Sequence, residues 1–129
     1  MAAKIKICGL NRPQDIDVIN QLGVDLVGFN FYKPSPRYVG EDLAAALASQ
    51  CGPKVERVAL LVDPDDAMLE AALACVSPHH IQLHGHETPA RVAEIKSRSH
   101  CHIIKALPVS TAQDIADARD FDGLADWFL

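Results

Sequence analysis

The sequence predicts an α/β fold of repeated strand–helix units. Short, strongly apolar runs recur at residues 4–8, 25–31, 55–62, 79–84 and 102–107. Segments with helix-spaced apolar residues lie between them, and the unit repeats every ~20–25 residues, as βα units do. The second and third runs are nearly all apolar, which suits strands of a parallel sheet covered on both faces.

The bulk numbers restrict the possibilities. A chain of 129 residues is one ordinary domain or part of a larger one. Its apolar fraction of 49% and charged fraction of 22% are globular values. The formal charge of −5 is spread along the chain, and no basic patch interleaved with aromatics is present, which argues against nucleic acid as a partner. No apolar run approaches ~18 residues, so no membrane-spanning helix is expected. The first residues lack the apolar core of a signal peptide. Cys8, Cys51, Cys75 and Cys101 show no CxxC spacing. They read as reduced thiols of a cytoplasmic protein.

The first strand is Lys4-Ile5-Lys6-Ile7-Cys8. Its alternation puts Ile5 and Ile7 on one face, and Lys4, Lys6 and Cys8 on the other. Gly9 ends it. A helix over 13–22 follows, with Asn11 as its cap and Gly23 as its stop. The second strand, 25–31, runs into a loop, Tyr32-Lys33-Pro34-Ser35-Pro36-Arg37-Tyr38, stiffened by two prolines. An alanine-rich helix covers 41–50. After the third strand, 55–62, Asp63 reads as a turn and helix-cap residue ahead of a helix over 66–75. The fourth strand, 79–84, carries His80, Gln82 and His84 on one face. Pro89 opens a helix to about residue 97. The fifth strand is 102–107, and Ser110 or Thr111 caps a helix to about residue 119. Residues 123–129 begin a sixth strand.

Two architectures fit this order. A flavodoxin-like doubly wound sheet matches the length. The front of a (β/α)8 barrel, which normally needs ~250 residues, matches the strand interiors. Lys6, Gln82 and His84 place polar groups on one strand face near the carboxyl edge. A barrel interior accommodates them near its mouth; a sheet covered by helices on both faces does so poorly. In either architecture ligands bind at the carboxyl ends of the strands. Cys8 stands at such an end. A free cysteine is by default a small buried apolar residue; its place at the strand end makes it a candidate for chemistry.

Five segments, KIKICGL followed by Arg12-Pro13, VGFNFYKPSPRYV, VALLVDPD, IQLHGHE and IIKAL, together resemble the phosphoribosylanthranilate isomerase family of tryptophan biosynthesis. They occur in that family's order and spacing, each at a strand end, and the resemblance covers essentially all of 1–129. It implies one partial TIM-barrel, (β/α)8, domain over 1–129, cut within the sixth strand. It implies an Amadori rearrangement of N-(5-phosphoribosyl)anthranilate to 1-(2-carboxyphenylamino)-1-deoxyribulose 5-phosphate, with no cofactor and no metal. In that reaction a general acid opens the furanose to a Schiff base, and a general base then removes the proton from the second carbon of the sugar.

By this resemblance Cys8 is the general base. A thiol with an ordinary pKa of ~8.5 is mostly protonated at neutral pH; Lys6 on the same strand face, or backbone amides of the following loop, would favour its thiolate. The resemblance makes Arg37 the partner of the anthranilate carboxylate, a group suited to a planar bidentate donor. It makes His84 a residue lining the substrate site. Gln82 faces the same way as a supporting polar group. The family's general acid is an aspartate at the carboxyl end of the sixth strand. Asp126 precedes the apolar run Trp127-Phe128-Leu129 and matches the start of that strand, so the acid is expected just beyond Leu129. The family's phosphate-binding loops, after strands seven and eight, have no counterpart in the sequence.

Three other readings compete with this one. Cys75, His79, His80, His84 and His86 bring metal ligation to mind, but His80 and His84 lie roughly 13 Å apart along a strand at ~3.3 Å per residue, too far for one ion. A non-catalytic βα-repeat fragment that self-associates through open sheet edges, or binds a partner, is the main alternative function. Another sugar-phosphate isomerase or indole-pathway barrel fits the KICG and SPRYV segments poorly. The expected strand order is 1-2-3-4-5-6, and the chain is expected to be inactive alone.

Overall fold

A computed structural model describes residues 3–129. The elements run β1 Lys6–Cys8, α1 Pro13–Leu22, β2 Leu26–Asn30, α2 Glu41–Gln50, β3 Glu56–Leu61, α3 Asp66–Val76, β4 His80–Leu83, α4 Pro89–Ser99, β5 His102–Lys105, α5 Ala112–Asp117, a 3₁₀ turn Ala118–Phe121, and β6 Trp127–Phe128. The six strands form one sheet in the order β1-β2-β3-β4-β5-β6. Every neighbouring pair is parallel. Strand β1 is at an edge and not between β2 and β3. That excludes the flavodoxin-like sheet and leaves the partial barrel.

The helices start and stop for local reasons. Pro13 opens α1, and Gly23 closes it at φ +71°. Thr88 accepts from the Arg91 amide ahead of Pro89 in α4. Thr111 and Asp114 form a reciprocal capping box at α5. Three local expectations need correction. Arg12, not Asn11, occupies the cap of α1, and no side chain satisfies the first-turn amides there. The cap of α3 is Asp65, whose carboxylate accepts from the Met68 amide. Asp63 is occupied elsewhere. Strand β6 is short and starts at Trp127, because the Leu124 and Ala125 amides both donate to Phe121 O and keep the preceding residues in a turn.

The two faces of the sheet divide the residues as the strand period dictates. Val27, Phe29, Ala59, Leu61, Ile81, Leu83 and Ile103 face the helices and form the main core with Ile16, Leu47, Leu69, Val92 and Ile95. Leu26, Val58 and Ile104 form a smaller cluster on the concave face. Ile5 and Ile7 lie opposite Lys6 and Cys8, as expected, but they are 55% and 40% exposed.

Curvature is recorded by contacts across the concave face. In a flat sheet β1 and β6 would lie roughly 24 Å apart, at ~4.8 Å per strand. Here the Lys4 ammonium sits 5.3 Å from the centre of the Trp127 ring. Trp127 stacks on His80 at 4.8 Å. His80 Nε2 lies 2.9 Å from Glu56 Oε2, and Glu56 returns to Lys4 at 3.6 Å. The four side chains close a ring over the amino end of the sheet. His80, aided by Lys4, holds the Glu56 carboxyl below its usual range against the opposing effect of burial.

Asp126 fastens β6 to this arrangement. Its Oδ2 accepts from the Ile103 amide at 2.7 Å, and Lys96 Nζ lies 3.3 Å from its Oδ1. Burial pushes this carboxyl up, but the Ile103 amide and Lys96 outweigh it, and the net shift is downward. A carboxyl lowered in the folded state stabilises above its unfolded range and loses that stabilisation as pH falls through the folded value. Asp126→Ala is therefore expected to cost ~1–3 kcal/mol at neutral pH. The gap in urea midpoint between the two proteins is expected to shrink below about pH 4. A gap that stays constant through that range would show that the charge of Asp126 is not what holds β6.

Candidate active site

Because all six strands are parallel, their carboxyl ends share one rim. Cys8 ends β1 on the concave face, opposite Gly28 of β2. A Cβ on Gly28 would lie 2.8 Å from Cys8 Sγ and 3.3 Å from Lys6 Nζ. The thiol and the ammonium thus share the space above one glycine, no farther apart than the sum of those distances. A side chain at position 28 would displace them. Among the described residues no carboxylate forms an ion pair with Lys6.

Arg37 arrives from the loop after β2. Asn30, buried at the end of that strand, organises the loop. Its Nδ2 donates to Ser35 Oγ at 3.1 Å, and its Oδ1 accepts from the Tyr32 amide at 2.8 Å. Ser35 Oγ in turn accepts from the Arg37 amide. The Arg37 side chain then crosses to β1, where Nη1 donates to Cys8 O at 3.3 Å. It lies directly over Gly9, at φ +81°, where a Cβ would fall 2.5 Å from Arg37 Cδ. Gly9 is required twice, for its left-handed backbone and for the passage of Arg37.

His84 follows β4 on the same rim. Its amide donates to Leu61 O at 3.0 Å, and its Nδ1 lies 3.2 Å from Gln82 Nε2. A cleft of about 250 Å³ opens beside it, lined by Gly85, His86, Ala106, Leu107 and Pro108. The structure brings Arg37 into contact with the Cys8 backbone. His84 shares their rim, with no hydrogen bond to either among the described residues.

The remaining titratable groups have other places. Asp63, at φ +44°, accepts from the His86 amide at 2.7 Å. Asp126 is at the amino end of β6, away from the rim, as its position in the sequence indicated. Cys51, Cys75 and Cys101 are half-buried, and burial pushes each thiol up. Among the described residues no group of three or more His, Cys, Asp or Glu is placed to hold a metal. No helix of the described residues is long and apolar enough to cross a membrane.

Comparisons with known proteins give the family and the fold. The family model for N-(5'-phosphoribosyl)anthranilate (PRA) isomerase matches residues 5–129. The chain belongs to the phosphoribosylanthranilate isomerase family. It is 44% identical over its whole length to the N-(5'-phosphoribosyl)anthranilate isomerase of Azorhizobium caulinodans and 46% identical to that of Paracoccus denitrificans, covering 57% of each. The chain thus spans less than two thirds of the length of the curated relatives it matches. Among solved structures, a phosphoribosyl anthranilate isomerase in complex with reduced 1-(o-carboxyphenylamino)-1-deoxyribulose 5-phosphate superposes with a TM-score of 0.89 at 29% identity, over 95% of this chain and 62% of that one. The Thermotoga maritima isomerase superposes with a TM-score of 0.88, over 95% and 59%. These similarities bear out the partial (β/α)8 barrel.

The sequence pattern missed two contributors to the rim. Asn30 was hidden inside an apolar strand run, and Glu87 looked like an ordinary loop acid. The polar residue ending a buried strand was the signal available for Asn30.

Gly9 offers a direct check on the Arg37 crossing. Gly9→Ala is expected to lower stability well beyond the ~1–2 kcal/mol of a left-handed backbone alone, because Arg37 must move. Gly23→Ala is the control, since Gly23 has φ +71° and nothing within 4 Å of its Cβ position. Equal losses in urea titrations of the two variants would mean that Arg37 does not lie over Gly9.

Proposed function

We propose that this chain supplies the base-bearing side of an isomerase that rearranges N-(5-phosphoribosyl)anthranilate to 1-(2-carboxyphenylamino)-1-deoxyribulose 5-phosphate. The observation that carries the reading is the meeting of Cys8, Lys6 and Arg37 around Gly28 and Gly9 at the open end of the barrel. Family membership supplies the reaction class. The related structure bound to a reduced form of the product supports the substrate class.

In this reading Cys8 takes the proton from the second carbon of the open-chain sugar. Lys6 places its ammonium over the same glycine as the sulfur. Arg37 presents a planar donor fork to the anthranilate carboxylate and fixes which carbon faces the sulfur. His84 lines the opposite part of the rim. The reaction also needs an acid at the ring oxygen and a grip on the phosphate. Asp126 is engaged at the other end of the sheet and does not serve as that acid. Both needs are assigned to the part of the longer relatives that this chain does not match. Chemistry by these side chains alone requires no metal or cofactor.

Three outcomes are expected. The 129-residue chain alone shows no turnover of phosphoribosylanthranilate, and adding a segment equivalent to the relatives' remaining length restores it. In the restored enzyme Cys8→Ala removes turnover while substrate still binds, because a base acts chiefly in the transition state. Arg37→Lys raises KM about tenfold or more, since a point charge replaces a bidentate fork. Full turnover by Cys8→Ala in a steady-state fluorescence assay would remove the thiol from the mechanism.

A second reading has its own observation. Ile5 just before β1, Ile7 on it, and Trp127, Phe128 and Leu129 at β6 are exposed at the two outer strands. Open strand edges with apolar neighbours pair with other chains. Self-association through them predicts a concentration-dependent mass in light scattering, whereas a monomer at all concentrations would exclude it.

A further inference from the structure

We infer that the buried pair Glu87–Lys105 is a positioning device for His84. The inference goes beyond the reaction assigned above and rests on it only for the purpose His84 serves. Both side chains are almost fully buried, at 1% and 2% exposure, with Lys105 Nζ 2.8 Å from Glu87 Oε2. Burying two charges is costly unless their remaining hydrogen-bonding capacity is used. Here it is used on backbone at the carboxyl ends of three neighbouring strands. Glu87 Oε1 accepts from the amides of Asp63 at 2.9 Å and Gly85 at 3.0 Å. Lys105 Nζ donates to Gly85 O at 2.9 Å and Ala106 O at 3.2 Å, and lies 3.5 Å from Leu83 O.

The pair therefore joins the carboxyl ends of β3, β4 and β5. His84 is held on both sides. Its own amide donates to Leu61 O, Gly85 is bound through N and O, and the His86 amide donates to Asp63 Oδ1. Gly85 leaves room for this, since a Cβ there would lie 2.6 Å from the Asp63 carboxylate.

With the backbone fixed, the ring is set by Gln82. The Gln82 amide nitrogen donates to His84 Nδ1. Gln82 Oε1 is buried without a partner. In this orientation Nδ1 of His84 is the acceptor, since an amide nitrogen only donates. Neutral His84 thus carries its proton on Nε2 and offers an N–H donor away from Gln82. By holding the backbone on either side of His84, at Leu83 O and at Gly85 N and O, the Glu87–Lys105 pair keeps the ring within reach of Gln82 Nε2.

Heteronuclear NMR on the chain as it is tests this without turnover, so its outcome and that of the activity reading are separable. In the unaltered protein the Asp63 and Gly85 amides, although outside strands, are expected to exchange with solvent as slowly as the amides of β4. Exchange within about tenfold of an unfolded peptide would overturn the inference. The His84 ring nitrogens are expected to report a single Nε2-protonated form near pH 8. Glu87→Gln is expected to mix the two tautomers while the signals of β1 and β2 stay in place. Where Glu87→Gln does not fold, the neutral double variant Glu87→Gln/Lys105→Met replaces it, and the same mixing is expected. A folded variant of either kind with an unchanged His84 tautomer overturns the proposal.

Discussion

The curl of the sheet is the constraint on which the rest of this structure depends. A parallel ladder of six strands twists by its nature, but twist alone does not bring its two outer strands together. The ring formed by Lys4, Glu56, His80 and Trp127 does so at the amino end. Once the concave face is narrow, side chains three and four strands apart compete for one volume. Neighbouring strands crowd as well: β1 pairs with β2, and the glycine at position 28 leaves space for both the Cys8 thiol and the Lys6 ammonium. The buried Gln82 and His80 follow from the curl, because a closed interior offers polar groups partners that a helix-covered face would not.

The two ends of the sheet divide stability from chemistry. At the amino end, charges and aromatic rings are paired off against each other, and Asp126 is spent on holding β6. At the carboxyl end, the polar groups hold backbone and leave side chains free. Asn30 and Ser35 shape the loop that delivers Arg37. Glu87 and Lys105 fix the turn that delivers His84. In both cases a buried polar residue at a strand end orders the backbone, and the group proposed to meet the ligand follows in the ordered segment. Such an arrangement fixes reactive groups without placing them in the core, where desolvation would oppose their charged forms.

Much of this was already determined by the order of the residues. The βα period, the start of α4 at Pro89, a cap of α5 at Ser110 or Thr111, the two faces of β1 and the placement of Cys8, Arg37 and His84 at strand ends follow from local patterns. These patterns are short-ranged, and parallel strands with right-handed crossovers then bring all strand ends to one rim. The position of Asp126 ahead of the Trp127 run likewise revealed that it begins a strand and does not end one. Family motifs supplied the reaction class, which spacing alone did not.

Tertiary structure decided what depends on contacts between distant strands. Composition left the choice between an open doubly wound sheet and a barrel unresolved, because both use the same units; the edge position of β1 resolves it. The need for glycine at 9 and 28 depends on which side chains cross above them, Arg37 in one case and Cys8 with Lys6 in the other. Glu87 and Lys105 are separated by a whole helix in the sequence, and nothing local distinguishes them from solvated charges. They become a buried pair only when β4 and β5 lie side by side and α4 covers the gap, and that pairing is what the linear sequence does not display.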